Sequence, residues 1–182
     1  MAETSSADRP ALNATAASLL GFLRHGPMTG WELGHRVEEA IGSFWNVTPS
    51  QVYRELRSLE AGGLIEPGET GPRDRRPYRL TEAGRTAFAA WIARPPGDEL
   101  IRFPLLLTVF FGEDVDRSRL ERSLHEHELR HLRRLEEYER RAAEIPDGDP
   151  SGPTQVLRFG IEYERAVLRW FASLPGYRSL DR

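Results

Sequence analysis

The sequence predicts a mainly α-helical fold in two parts, and three features of the chain carry that prediction. The first half contains short amphipathic segments that begin at capping residues, and a turn rich in Gly, Pro and Arg follows the third of them. The second half contains two long segments with apolar residues at helical spacing. Between the halves lies Pro95-Pro96-Gly97, which is typical of a linker.

Composition excludes several classes of protein. The 182 residues carry 25 basic and 28 acidic side chains for a net charge of −3, and every basic residue is Arg. The absence of Cys excludes disulfide frameworks, thiolate metal sites and cysteine nucleophiles. The longest apolar run, Leu105 to Phe111, falls short of the ~18 residues of a membrane span, and the polar first ten residues lack the apolar core of a secretory signal. We expect no membrane association and a cytoplasmic location.

The first two helices are bounded by ordinary start and stop signals. Leu12 to Leu23 repeats Leu and Ala at spacings of three and four and ends at Gly26-Pro27. The second helix begins at Thr29, which forms a capping box with Glu32. Its apolar side is assigned to Trp31, Leu33, Val37 and Ile41.

The third helix is the most clearly marked element. Thr48 is a typical N-cap, Pro49 occupies the first helical position and Gln51 completes a second capping box. Val52, Leu56 and Leu59 share a buried face, and Gly62-Gly63 ends the helix. The outer face is predicted to carry the hydrogen-bonding residues Ser50, Gln51, Arg54, Arg57 and Ser58, with Tyr53 at its border.

A two-stranded hairpin is predicted after the third helix. Its strands are Leu64-Ile65-Glu66 and Pro77-Tyr78-Arg79-Leu80, and Thr81 caps a fourth helix. Residues 71–79 contain four Arg and one acid, whereas residues 1–95 balance 11 Arg against 11 acids. Three helices followed by such a hairpin form a winged helix-turn-helix, in which the third helix fits the DNA major groove. We assign Arg73, Arg75 and Arg76 of the wing mainly to phosphates; the alternative for any single Arg is a solubilising role.

The chain resembles PadR-type transcriptional regulators. The resemblance rests on Gly26-Pro27-Met28-Thr29-Gly30-Trp31-Glu32-Leu33, on Gln51-Val52-Tyr53-Arg54-Glu55-Leu56, and on Arg76-Pro77-Tyr78-Arg79-Leu80-Thr81. Phe110-Phe111-Gly112 and Tyr163-Glu164-Arg165 are similar to the longer subfamily with a helical C-terminal domain. Trp31 stands where a tyrosine is frequent in the family, and we interpret it as a core residue.

The resemblance implies a homodimeric bacterial regulator, most often a repressor, that binds double-stranded DNA at a palindromic operator. It implies that the third helix enters the major groove and that Tyr53 matches a tyrosine of the family in this helix. From the outer face of the helix itself we assign Ser50, Gln51, Arg54 and Arg57 to DNA contacts. We divide the chain into a disordered tail (1–10), a winged-helix DNA-binding domain (11–95) and a helical dimerisation domain, the candidate site of an effector (96–182).

The C-terminal helices predict a dimer interface. One helix, roughly Thr154 to Leu174, has more apolar surface than one neighbour covers, and the long charged helix before it, about Asp116 to Ile145, has its own apolar stripe. The dimerisation residues are predicted to be Leu120, Leu124, Val156, Tyr163, Val167, Trp170 and Leu174. The alternative is an intramolecular helical hairpin without a dimer contact.

Several aromatic residues lie near the junction of the two halves. They are Trp91, Phe103, Phe110, Phe111, Phe159 and Trp170. The resemblance implies an apolar pocket for a small aromatic effector, whereas aromatic residues at helical spacing are ordinarily core.

One motif suggests a different chemistry. His127-Glu128-Leu129-Arg130-His131 matches H-E-x-x-H, the spacing that binds zinc in peptidases, and Glu162 or Glu164 is a conceivable third ligand. The helix is so rich in Glu and Arg that short His and Glu matches arise by chance, and no substrate-binding segment is readable nearby. We therefore predict no catalytic residue, no metal and no cofactor. A zinc-dependent hydrolase, or a helical interaction module without a DNA role, remains the alternative.

Overall fold

The computed structural model describes residues 12–42, 44–69, 71, 76–98 and 101–180. The chain forms two compact units, the first ending at Gly97 and the second beginning at Asp98. Residues 1–10, for which we predict a disordered tail, lie outside the described residues, as do Arg73 and Arg75 of the wing.

The first unit contains four helices and three short strands among its described residues. In chain order they are α1 (Ala14–Leu23), β1 (Met28–Thr29), α2 (Gly30–Ile41), α3 (Pro49–Ala61), β2 (Ile65–Pro67), β3 (Pro77–Leu80) and α4 (Glu82–Ile92). Leucines of α1 fill the centre of its core, where Leu33 and Val37 of α2 and Val52, Leu56 and Leu59 of α3 meet them.

Local signals in the sequence account for the helix starts. The backbone N–H of Thr29 donates to Glu32 at 2.7 Å and that of Thr48 donates to Gln51 at 2.8 Å, so both predicted capping boxes form. Asn13 caps α1 through a 2.8 Å bond from the Ala16 N–H. After α3, Gly63 adopts φ +67°, a conformation that favours glycine and turns the chain into β2.

The sheet has one strand more than the predicted two-stranded wing. β3 lies between β1 and β2, and both pairings are antiparallel. Met28 pairs with Tyr78 and Thr29 with Pro77, so β1 joins the start of α2 to the base of the wing. A two-residue strand carries no alternating pattern of its own, and only its long-range pairing reveals it.

The prediction that Trp31 belongs to the core is wrong. Its side chain is 67% exposed, while Leu33 and Val37 of the same helix are buried. Gly30 and Gly34, rather than the indole, lie against α3, where a Cβ on Gly30 would come within 2.6 Å of the Tyr53 ring. The closeness of α2 and α3 therefore leaves Trp31 on the surface.

Within its described residues, the second unit consists of helices joined by turns, without a strand. It contains α5 (Pro104–Phe110), a short 3₁₀ turn (Gly112–Asp114), α6 (Arg117–Ala143) and α7 (Gly152–Ser173). Glu139 on α6 pairs with Arg165 on α7 at 2.6 Å, and His131 contacts Phe171, so α6 and α7 form an antiparallel hairpin. Leu105, Leu124 and Phe171 form the centre of its core. Among the described residues, no helix combines the length and apolar character that crossing a membrane requires.

Candidate DNA-binding interface

The outer face of α3 presents one stripe of polar side chains. Ser50, Tyr53, Arg54 and Arg57 are exposed and recur at helical spacing, whereas Val52, Leu56 and Leu59 are buried on the opposite side. The guanidinium of Arg57 forms no ion pair with any described residue. The capping box fixes the start of this helix, so the stripe has a defined orientation within the unit.

Arg54 is held by a buried carboxylate that local patterns do not reveal. Its NH2 group lies 3.0 Å from Oε1 of Glu55, a residue only 7% exposed. The other oxygen of Glu55 accepts a 3.0 Å bond from the side-chain amide of Asn13, the N-cap of α1. The Asn13–Glu55–Arg54 chain thus ties the first helix to the outer face of the third.

Two further residues predicted to contact DNA, Gln51 and Tyr53, already make contacts within the first unit. The Oε1 of Gln51 accepts both the backbone N–H and the hydroxyl of Thr48, which leaves chiefly its NH₂ group to donate outward. Tyr53 rests its ring against Gly30 and is 46% exposed, so it bridges α3 and α2 while remaining accessible.

An ion pair connects the base of the wing to α3. Arg76 contacts Glu60 of α3 at 3.2 Å, and Arg79 contacts Glu66 across the strands at 3.4 Å. Both ion pairs are solvent-exposed and contribute little to folding stability. The Arg76–Glu60 pair shows that the root of the wing lies beside the C-terminal half of α3.

The H-E-x-x-H residues serve packing within the second unit. Glu128 is fully buried and accepts bonds from the Tyr177 hydroxyl at 2.7 Å, from the Leu180 N–H at 3.0 Å and from the Ser179 hydroxyl. Burial and the bond to Glu128 raise the pKa of Tyr177 well above its usual value, so the phenol stays protonated. Glu128 thereby anchors the segment that follows α7.

The second histidine of the motif belongs to a separate buried cluster. His131 contacts the fully buried Glu164, and the Nε of Arg134 lies 3.0 Å from the same carboxylate. Burial, together with the charge of Arg130, holds the pKa of His127 below its usual value. Within the described ranges, no group of three or more His, Asp or Glu is arranged to hold a metal ion.

The predicted dimerisation residues are partly used inside the chain. Leu124 is buried, and Leu120, Val167, Trp170 and Leu174 pack around the same core of the second unit. Val156 and Tyr163 are half-buried on α7. On α5, Leu105 is buried, whereas Leu106, Leu107 and Phe110 are exposed, as is the adjacent Phe111.

The aromatic residues near the junction form pairs in this structure. Phe103 meets Trp170 at a centroid distance of 6.1 Å, and Phe110 meets Phe111 at 4.9 Å. A cavity of about 390 Å³ lies in the second unit. Its lining consists of Thr108, Asp114, Val115, Asp116, Arg119 and Ser123, none of them aromatic.

Known proteins are similar to this chain in sequence and in fold. A curated relative, the negative transcriptional regulator PadR of Bacillus subtilis, is 25% identical over 169 residues, which cover 86% of this chain and 93% of the relative. The crystal structure of B. subtilis PadR with operator DNA is similar at a TM-score of 0.70 and 22% identity, over 90% of this chain and 97% of that one. The structure of B. subtilis PadR with p-coumaric acid has a TM-score of 0.63 at 24% identity, over 88% and 96%.

Two family models divide the chain between them. Residues 101–174 match the model for the C-terminal part of virulence activator alpha. Residues 19–90, which include α3 and both strands of the wing, match the model for the transcriptional regulator PadR-like family. The first unit therefore contains a domain of the PadR-like family of transcriptional regulators, and the chain is similar over most of its length to B. subtilis PadR.

Proposed function

We propose that this chain is a repressor that binds a two-fold-symmetric operator as a homodimer. The observation that carries the proposal is the exposed polar stripe of α3, where Arg57, which pairs with no described carboxylate, lies beside Arg54 and Tyr53. An α-helix fits the major groove of B-DNA, and a guanidinium donates two parallel bonds to a guanine edge. We assign base contacts to Arg57, Arg54, Gln51 and Ser50.

The wing is assigned to the sugar–phosphate backbone. Arg76 is joined to Glu60 beside α3, and the sequence supplies Arg73 and Arg75 at the adjacent turn. Cations on such a turn reach phosphates, which contribute affinity but carry no sequence information directly. On this assignment the wing sets affinity and α3 sets specificity.

Dimerisation is assigned to the helical second unit. Leu106, Leu107, Phe110 and Phe111 are large apolar side chains that are all exposed within six residues of the chain, and a contiguous exposed apolar patch is typical of an interaction site. Val156 and Tyr163 of α7 offer further half-buried surface. DNA-binding helices of this type act in symmetric pairs on two half-sites, which also favours a two-fold assembly.

The remaining assignments rest on relatives. Repression is supported by the B. subtilis relative, which is a negative regulator, and a regulator of bacterial transcription works in the cytoplasm. A small aromatic effector is supported by the complex of B. subtilis PadR with p-coumaric acid, and titrating that acid into the protein–DNA complex is the direct test. We propose no enzymatic activity, because the similar proteins are transcriptional regulators. The zinc-hydrolase alternative is further disfavoured because the buried Glu128 already accepts three hydrogen bonds.

Selection from a pool of random duplexes tests the central proposal. We expect the full-length protein to enrich an inverted repeat whose half-sites lie about one helical turn, roughly 34–36 Å, apart. The same protein should bind the DNA upstream of its own gene more tightly than random duplex. Enrichment of no sequence at all would contradict DNA recognition, and enrichment of one unrepeated site would contradict the symmetric operator.

Sedimentation tests the assembly. A protomer of 20.7 kDa predicts a species of twice that mass, about 41 kDa, that persists on dilution to the concentrations of the DNA assay. Deleting residues 154–182 removes the buried Leu168 and Phe171 and should leave aggregate or monomer. A stable full-length monomer would refute the dimer.

A further inference from the structure

Trp31 is the most exposed of the large aromatic side chains described in the first unit. The indole is 67% exposed and stacks on His35, with ring centroids 5.4 Å apart and planes 19° from parallel. Tryptophan is among the side chains most often found at the energetic centre of interfaces. Trp31 is not part of the core of the unit, so it is available for an interaction. The residues around it indicate which partner it could contact.

The start of α2 lies between the recognition helix and the wing. Gly30 contacts the ring of Tyr53 on α3, and Thr29 pairs with Pro77, the residue that follows Arg76 of the wing. Trp31 follows Thr29 and Gly30 in the sequence. It therefore lies on the segment of chain that contacts both α3 and the wing, the two proposed DNA-binding elements.

The helical geometry directs Trp31 outward on the α3 side. Gly30 and Gly34 mark the line along which α2 touches α3, because a Cβ on either would meet Tyr53 or Val52. Trp31 and His35 each follow one of these glycines by one residue, about 100° further round the helix, and both point away from the buried Leu33. The two rings thus lie on the exposed side of α2, next in sequence to the residues that contact α3.

The chemistry of the patch suits a DNA backbone. An indole offers a flat apolar face to a deoxyribose and one N–H donor to a phosphate oxygen. Glu32, the neighbour of Trp31 in sequence, accepts the N–H and hydroxyl of Thr29. The other carboxylate near the patch, Glu39, pairs with His35 and Arg36. A shallow depression of about 250 Å³ beside Trp31 provides room for the backbone.

We propose that Trp31 is a third DNA contact, lying on the sugar–phosphate strand between the groove that receives α3 and the wing. The proposal rests on the proposed function, since it requires α3 to enter the major groove. It adds the flat face of an indole to an interface of cations and hydrogen-bonding groups that also includes Tyr53. His35 supports the indole from behind by stacking.

Trp31→Ala in the full-length protein measures the contribution of this contact. We expect roughly tenfold weaker binding to the selected operator, since a symmetric complex loses two aromatic contacts. The slope of log affinity against log salt should not change, because a neutral side chain releases no counterions. Ile92→Ala on α4 is the matched control, because Ile92 is also a large, exposed apolar residue (61%) of this unit. This control should leave DNA binding unaltered.

Tryptophan fluorescence gives a readout that a folding defect cannot imitate. In the wild-type protein, operator DNA should protect the exposed Trp31 from acrylamide quenching. In Trp31→Phe, which keeps a ring at this position, the three remaining Trp residues (Trp45, Trp91 and Trp170) should show no DNA-dependent protection.

Each contrary outcome is distinguishable. Unchanged operator affinity in Trp31→Ala, or equal protection in wild type and Trp31→Phe, overturns this inference but leaves the proposed function standing. Normal DNA binding with lost regulation of transcription would mean that Trp31 docks a protein instead, which also overturns it. If the wild-type protein prefers no DNA sequence, the proposed function and this inference fail together.

Discussion

Replacing Arg57 with alanine is expected to weaken operator binding by about 1–3 kcal/mol per half-site and to relax base preference at one position of each half-site. Arg57 is chosen because it is exposed on the α3 stripe and pairs with no described carboxylate. Its loss therefore removes a DNA contact without breaking an ion pair in the described part of the unit. Binding titrations on the selected operator and on single-base variants measure both effects.

A charge-conserving variant separates base recognition from simple attraction. Arg57→Lys keeps the cation but loses the planar fork that donates two bonds to guanine, so it should retain the salt dependence and lose the base preference. The wing variant with Arg73, Arg75 and Arg76 all changed to Ala is the reference for phosphate contacts. It should weaken specific and random DNA alike and flatten the salt slope by about 0.9 for each phosphate that an Arg no longer neutralises. If Arg57→Ala behaved like the wing variant, Arg57 would be a phosphate contact.

Arg54 illustrates why neighbouring arginines on one helix face are not equivalent. Because Arg54 is bonded to the buried Glu55, moving it toward a base would weaken the link through Glu55 to Asn13. The sequence places Arg54 and Arg57 on the same outer face but gives no sign of this difference. The partner of Glu55, Asn13, lies 42 residues away, and such a contact leaves no local pattern.

Local signals in the sequence are sufficient for the starts of α2 and α3. The pairs Thr29–Glu32 and Thr48–Gln51 are three residues apart, and both form the capping boxes that their spacing predicts. The mainly α winged-helix fold follows from these boundaries and from the hairpin after α3.

Trp31 shows where reasoning from side-chain type is misleading. Leu33, Val37 and Ile41 repeat every four residues, whereas Trp31 precedes Leu33 by two, about 200° round the helix. The periodicity alone excludes it from the buried face. Gly30 carries the better signal, because the absence of a Cβ there permits the close approach of Tyr53 on α3.

The H-E-x-x-H motif shows the converse case. The pattern is local, but its side chains bond to residues far along the chain. Glu128 bonds to groups 49 to 52 residues later in the chain, and His131 contacts Glu164 on α7. The motif made Glu164 a conceivable metal ligand, whereas the structure brings it to His131 as a partner in a buried cluster. The spacing of the motif places Glu128 and His131 on the face of α6 that is buried in the second unit.

Glu164→Ala is expected to destabilise the second unit by about 3 kcal/mol, because it removes the acceptor from a buried cluster and leaves His131 and Arg134 without their carboxylate. Chemical denaturation at fixed protomer concentration, with hydrogen exchange of α6 and α7 to locate the change, measures the effect. Glu162→Ala is the matched control on the same helix, since the carboxylate of Glu162 pairs with Arg165 in solvent. It should change stability by less than about 0.5 kcal/mol.

A double-mutant cycle with His131→Ala distinguishes a specific contact from general burial. Residues that share a buried polar contact are expected to show a coupling free energy of roughly 0.5–3 kcal/mol, whereas independent sites add to within about 0.5 kcal/mol. Glu164 is fully buried and His131 is nearly so, which means that neither gains water as a substitute partner when the other is removed. We therefore expect the sum of the two single destabilisations to exceed the destabilisation of the double variant. Strict additivity, or a Glu164→Ala variant as stable as Glu162→Ala, would mean that the cluster does not hold α6 and α7 together.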